Sequence, residues 1–121
     1  MTKASQSQVD SLLPLSPTIF HMLLALGEGE RHGYALKREI LQRTGGKLNL
    51  GSGALYGSIN KMLEQGLIEE SEERPDAHLD DERRRYYRIT PLGAAVAKAE
   101  ATRMSKLVKW ARALGFAPGK A

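Results

Sequence analysis

Between Ser52 and Lys61 the chain reads SGALYGSINK. Gly53, Tyr56, Gly57 and Asn60 recur at i, i+3, i+4 and i+7, so a helix would set them on one face. Leu55, Ile59, Met62 and Leu63 recur at i, i+4, i+7 and i+8 and would form an opposite, buried stripe. The outward groups are suited to recognition and not to bond making. Ser52 and Tyr56 offer hydroxyls, Asn60 an amide and Lys61 an ammonium, and these groups match phosphate oxygens and base edges. Asn60 can pair with adenine or bond a phosphate. Two glycines on an exposed helix face cost about 1 kcal/mol each relative to alanine, a cost that close approach of another backbone would explain. The plainer reading of the same face is a solvated helix surface.

Such a helix must be held by neighbours. Upstream, Ser16-Pro17 supplies an N-cap and a first helical position. Ile19, Met22, Leu23 and Leu26 then mark a first helix that ends at Gly27 and Gly29. A second helix is expected from His32-Gly33 to about Thr44, with Ala35, Leu36, Ile40 and Leu41 as its apolar residues and Gly45-Gly46 as its stop. Ser52 is the expected N-cap of the third helix and Gly66 its end. Leu67-Ile68 opens an extended stretch, Pro75-Asp76 marks a turn, and Arg84 to Thr90 returns as a strand rich in aromatic and β-branched residues. Strand alternation puts Arg84, Tyr86 and Arg88 on one face and Arg83, Arg85 and Tyr87 on the other. One or two of these arginines, Arg85 or Arg88, are expected on phosphate, and the rest in pairs with Glu69, Glu70, Glu72 or Glu73. Thr90-Pro91 then caps a long helix to about Leu114. The order of helix, helix, helix, hairpin and long helix is that of a winged helix-turn-helix.

Charge supports a polyanionic partner. Eight acids and one base between Glu69 and Glu82 make a local charge of −7 against a total of +4, which leaves +11 on the rest of the chain. A basic body with one acidic patch fits nucleic acid, although lysines and arginines also serve solubility. With no cysteine among 121 residues, a disulfide framework and a thiolate metal site are excluded, and the chain fits a reducing cytosol. The opening MTKASQSQVD has no apolar core of a secretion signal, and the run Met22 to Leu26 is too short to span a bilayer. No nucleophile elbow, phosphate-binding loop or HExxH motif is present, so no enzyme is expected. His21 beside the first apolar stripe and His32 in the turn before the second helix read as structural. His78 among Asp76, Asp80 and Asp81 reads as part of a solvated acidic loop, since the spacing matches no calcium-binding loop. Neither a metal nor a cofactor is expected.

The chain resembles the PadR family of bacterial regulators, in its short form with a single C-terminal helix. The resemblance runs from about Leu15 to Leu114. It is carried by LLALGEGERHGYALKREI (Leu23 to Ile40), GALYGSINKMLEQGLIEE (Gly53 to Glu70) and RRRYYRITPLG (Arg83 to Gly93). Two positions depart from the family pattern. Ala54 stands where threonine is usual and Gly57 where proline is usual, which removes a hydroxyl and leaves the first turn less pre-set. The acidic segment Pro75 to Glu82 is expected to stay off DNA. The resemblance implies a homodimer made through the final helix. The sequence supports this independently, because Ala97, Ala101, Met104, Val108 and Ala111 make one apolar line and Leu107, Trp110 and Leu114 an adjacent one. Some relatives bind flat aromatic molecules at the dimer interface, which makes Trp110 and Met104 the effector candidates. Packing of the same stripe as plain interface core is the alternative.

The expectation is therefore a mainly α chain with a small β-hairpin. It has an arm (1–14), a winged helix-turn-helix (15–90), a dimerisation helix (91–114) and a tail (115–121). The expected function is a cytoplasmic, DNA-binding transcription regulator, read as a repressor released by a small molecule or other signal. Its partners would be a roughly palindromic DNA duplex, a second copy and an aromatic effector, without a membrane. The DNA contacts expected are Lys37, Arg38, Ser52, Gly53, Tyr56, Asn60, Lys61, Arg85 and Arg88. The competing readings are a winged-helix module that binds protein and a dimeric small-molecule carrier.

Overall fold

The structure is a computed structural model and describes residues 5–71 and 85–118. The acidic segment, its His78 and the arginines Arg83 and Arg84 lie outside the described residues. Five helices and three short strands follow in the order α1 (Gln6–Ser11), α2 (Pro17–Gly27), β1 (Arg31–His32), α3 (Gly33–Arg43), α4 (Ser52–Glu64), β2 (Ile68–Ser71), β3 (Tyr86–Ile89) and α5 (Pro91–Ala113).

Local chemistry explains most boundaries. Ser16 caps α2 by accepting from the Ile19 amide at 3.2 Å, with Pro17 at the first helical position. Thr90 caps α5 through the Gly93 amide at 3.0 Å, again with proline at the first position. At the end of α4, Gly66 takes φ +75°, which lets the Leu67 amide return to the Met62 carbonyl at 2.9 Å. Helix α4 departs from expectation at its start: Gly51 is the N-cap, no side chain caps it, and Ser52 is already helical.

One other expectation is corrected and one is extended. Residues 6–11 of the expected loose arm form helix α1, because Ser5 caps it and Val9, 5 % exposed, packs into the core. The wing strands β2 and β3 pair antiparallel as expected, and β1 adds a third strand that was not foreseen, in the order β1-β3-β2. Arg31 and His32 pair with Tyr87 and Tyr86, while Ile68 to Ser71 pair with Ile89 to Tyr86. A two-residue strand carries no period of its own; only its partner reveals it.

Met22, Leu23, Leu36, Ile40, Leu55, Ile59, Met62, Leu67, Ile68 and Val96 are almost fully buried and join α2, α3, α4, the sheet and the base of α5. The fit is tightest at Gly93, where a Cβ would lie 2.0 Å from the Leu67 carbonyl oxygen. Only glycine lets the first turn of α5 sit on the backbone that leads into the wing.

Helix α5 is about 34 Å long. Its buried residues, Gly93, Val96 and Glu100, all lie in its first ten residues, where it meets α1 and α2. No helix is long and apolar enough to cross a membrane among the described residues.

Candidate nucleic-acid interface

Helix α4 buries Leu55, Ile59 and Met62, and Leu63 packs partly on the same core. That anchoring turns Ser52, Gly53, Gly57, Asn60 and Lys61 outward, and all five are exposed. A Cβ placed on Gly53 or Gly57 would meet nothing within 4 Å, so this face is smooth and open. A backbone or a groove wall can approach α4 more closely there than over larger side chains.

Tyr56 differs from its sequence expectation. Its side chain is half-buried, packs on the core cluster and lies against Gly33, where a Cβ would be only 3.0 Å from the phenolic oxygen. Tyr56 therefore locks the first turn of α3 to α4. Nearby, burial raises the pKa of the Tyr87 phenol, with smaller contributions from Glu70 and Tyr56.

The cations divide into two groups. On one flank, Glu39 receives Arg31 and Arg43, each at 3.2 Å, and Arg43 also reaches Glu28 at 2.7 Å. On the sheet, Arg88 meets Glu69 at 2.7 Å, and Arg85 lies 3.8 Å from Glu70. Surface pairs of this kind are worth about 0–1 kcal/mol, so a phosphate can replace the glutamate. By contrast, Lys37 on α3, exposed Arg38 beside it and Lys61 on α4 have no carboxylate within ion-pair distance among the described residues.

The apolar line on α5 splits as well. Ala97 packs partly on the chain's own core. Beyond Glu100 the line turns to solvent: Ala101 is exposed, as are Met104 (39 %), Leu107 (46 %), Val108 (41 %), Trp110 (65 %) and Leu114 (55 %), and Ala111 is half-exposed. Phe116, which the sequence reading passed over, is 81 % exposed after the final turn.

A groove of about 750 Å³ runs between α1 and α5, with Val9, Leu13, Ala95 and Ala99 among its apolar walls and Lys98 and Lys106 among its charged ones. Neither Trp110 nor Met104, the effector candidates, lines it.

Glu100 was also missed by the sequence reading. Its side chain is 1 % exposed yet carries a carboxylate. Arg103 donates to both oxygens, at 2.7 and 2.9 Å, and the Leu15 amide donates as well. The Arg103 hydrogen bonds hold this carboxyl below its ordinary pKa. Glu100 thus ties α5 to the α1–α2 connector. Its signal in the sequence was a carboxylate three residues before an arginine, a spacing that also marks an ordinary surface pair.

Among the described residues no group of three histidine or acidic side chains is placed to hold a metal ion.

Comparison with known proteins agrees with this geometry. The chain is 34% identical over 86 residues to an uncharacterized 37.1 kDa protein of transposon TN4556 from Streptomyces fradiae. That match covers 71% of this chain and 22% of the longer protein, so the chain spans under a quarter of that relative's length. The structure of RosR from H. salinarum is similar at 31% identity with a TM-score of 0.63, over 80% of this chain and 81% of that one. A transcriptional regulator from Clostridium thermocellum shares the fold at 23% identity and a TM-score of 0.63, over 88% of this chain and 92% of that one. Residues 22–99 match the model of the transcriptional regulator PadR-like family. With a winged helix whose α4 face is open and uncompensated in charge, the chain belongs to the PadR-like family of transcription regulators.

Proposed function

We propose that this PadR-family DNA-binding regulator acts as a homodimeric repressor that sets two copies of α4 in successive major grooves. The observation that carries this reading is the outer face of α4, where Asn60, Lys61 and Ser52 surround two open glycines. Asn60 reads a base edge, Ser52 and Lys61 hold phosphates, and Gly53 and Gly57 let the groove close on the helix. Lys37 and Arg38 grip the flanking phosphates. Arg85 and Arg88 join them only by exchanging Glu70 and Glu69 for phosphate, so their share is small. Tyr56 contributes by fixing α3 to α4.

Dimerisation follows from the bare half of α5. An apolar strip holding Met104, Leu107, Val108, Trp110 and Leu114 is covered when a second copy packs along it. The two reading heads then stand about 34 Å apart over a roughly palindromic site. A signal molecule bound against Trp110 and Met104 would release the operator by changing that spacing.

Titration of the duplex upstream of the protein's own gene tests the reading. Binding should weaken steeply with salt, with a log–log slope of about −0.9 per phosphate neutralised. Asn60→Ala should reduce affinity for that duplex by about 5- to 100-fold and relax one base position. Absent or salt-insensitive binding by the wild type overturns the proposal.

A further inference from the structure

Tyr34 stands at the first turn of α3 with 55 % of its surface exposed. Its position relative to α4 is fixed by its neighbour. The Tyr56 phenol touches Gly33, so the start of α3 sits against the Tyr56 edge of α4, which borders the open face that carries Gly53, Gly57 and Asn60. Tyr34 follows Gly33 directly in the same turn, and its ring is exposed. Lys37 and Arg38 come three and four residues later, on the same side of α3. The first turn of α3 contains no acid, so the positive end of the helix dipole is not offset there. A large aromatic left in water beside a helix N-terminus and two cations is poorly explained by packing.

We infer that Tyr34 is a phosphate-binding residue of the DNA interface, its hydroxyl donating to a backbone phosphate at the edge of the groove that α4 enters. The inference rests on the DNA-binding reading above. It adds a contact that carries orientation without sequence information. Tyr34 and the Lys37–Arg38 pair then hold neighbouring phosphates while Asn60 faces the bases. A phenol is suited to this role because it donates to an anion while remaining neutral at physiological pH.

The two readings separate in one experiment. The full chain, as wild type, Tyr34→Phe and Lys37→Gln, is titrated against a fluorescein-labelled duplex of random sequence, about 30 bp long, over a range of salt. Tyr34→Phe should weaken binding about tenfold at every salt concentration, with the salt slope unchanged, because a lost neutral donor releases no counterion. Lys37→Gln should lower the slope by about one. The melting temperature of Tyr34→Phe should equal that of the wild type, since the ring is kept and the hydroxyl is at the surface. Tyr34→Phe binding within about twofold of the wild type, while the wild type binds with the expected salt slope, overturns the role of Tyr34 alone. A wild type without salt-dependent binding overturns the DNA reading and this inference together.

Discussion

Helices α4 and α5 are both amphipathic and both join the same core, yet they expose opposite chemistry. On α4 the apolar stripe is spent inside, at Leu55, Ile59 and Met62, and what remains outside is short, polar or glycine. On α5 the burial stops at Glu100, and what remains outside is Met104, Leu107, Val108, Trp110 and Leu114. A bare polar face with unpaired cations beside it suits a hydrated polyanion. A bare apolar face favours a partner that removes it from water. One chain thus carries two surfaces of different solvent preference, which the proposed function assigns to reading and to pairing.

Gly93→Ala should produce the largest effect, because the new methyl meets a backbone carbonyl that cannot swing away. It should destabilise the fold by roughly 3 kcal/mol or more, read as a lower urea midpoint, and detach the foot of α5 from the wing. An unchanged midpoint would show that α5 is not keyed to the winged helix at this point.

Leu107→Asp sharpens the contrast between the halves of α5. It should weaken self-association at least about 30-fold in sedimentation, while helical circular dichroism is largely kept. A monomeric wild type at micromolar concentration would remove the pairing role of the bare half.

Glu100→Gln probes the point where the halves meet. The folded carboxyl titrates below its ordinary value. Its stabilisation is therefore present above the unfolded pKa of about 4.3 and is lost as pH falls through the folded pKa. The variant should melt at a lower temperature at neutral pH, and the difference from wild type should shrink as pH is lowered below about 4. A constant difference across that range would assign the effect to packing and not to charge.

Gly57→Ala should be the smallest change and the one that best separates α4 from an ordinary surface helix. With open space around the position, alanine should raise stability by up to about 1 kcal/mol. If a groove closes over this face, the same methyl weakens DNA binding. A variant both more stable and equally tight on DNA would remove the close-approach argument for the glycines.

Much of this was readable in the sequence. The buried stripes of α2 and α4 follow from spacing alone, and Ser16-Pro17 and Thr90-Pro91 mark helix starts by their own hydrogen-bonding chemistry. Strand β1 was not readable, because Arg31 and His32 are a strand only in relation to Tyr87 and Tyr86 far along the chain. Helix α1 was obscured by its polar composition, its single buried residue, Val9, giving no period. The half-burial of Tyr56 was not readable for a related reason: spacing sets the direction of a side chain, whereas the neighbour that it meets, here Gly33, comes from another helix.

Local order of apolar, capping and turn residues thus determined the helices, the anchored stripe of α4 and the membership of the chain in a winged-helix class, because each of those depends on residues within a few positions of one another. Which cations stay unpaired, where Tyr56 rests, how the Glu100 carboxylate is satisfied and where α5 runs out of cover were decided only by the tertiary structure. Those properties depend on distances between segments that the linear chain does not fix.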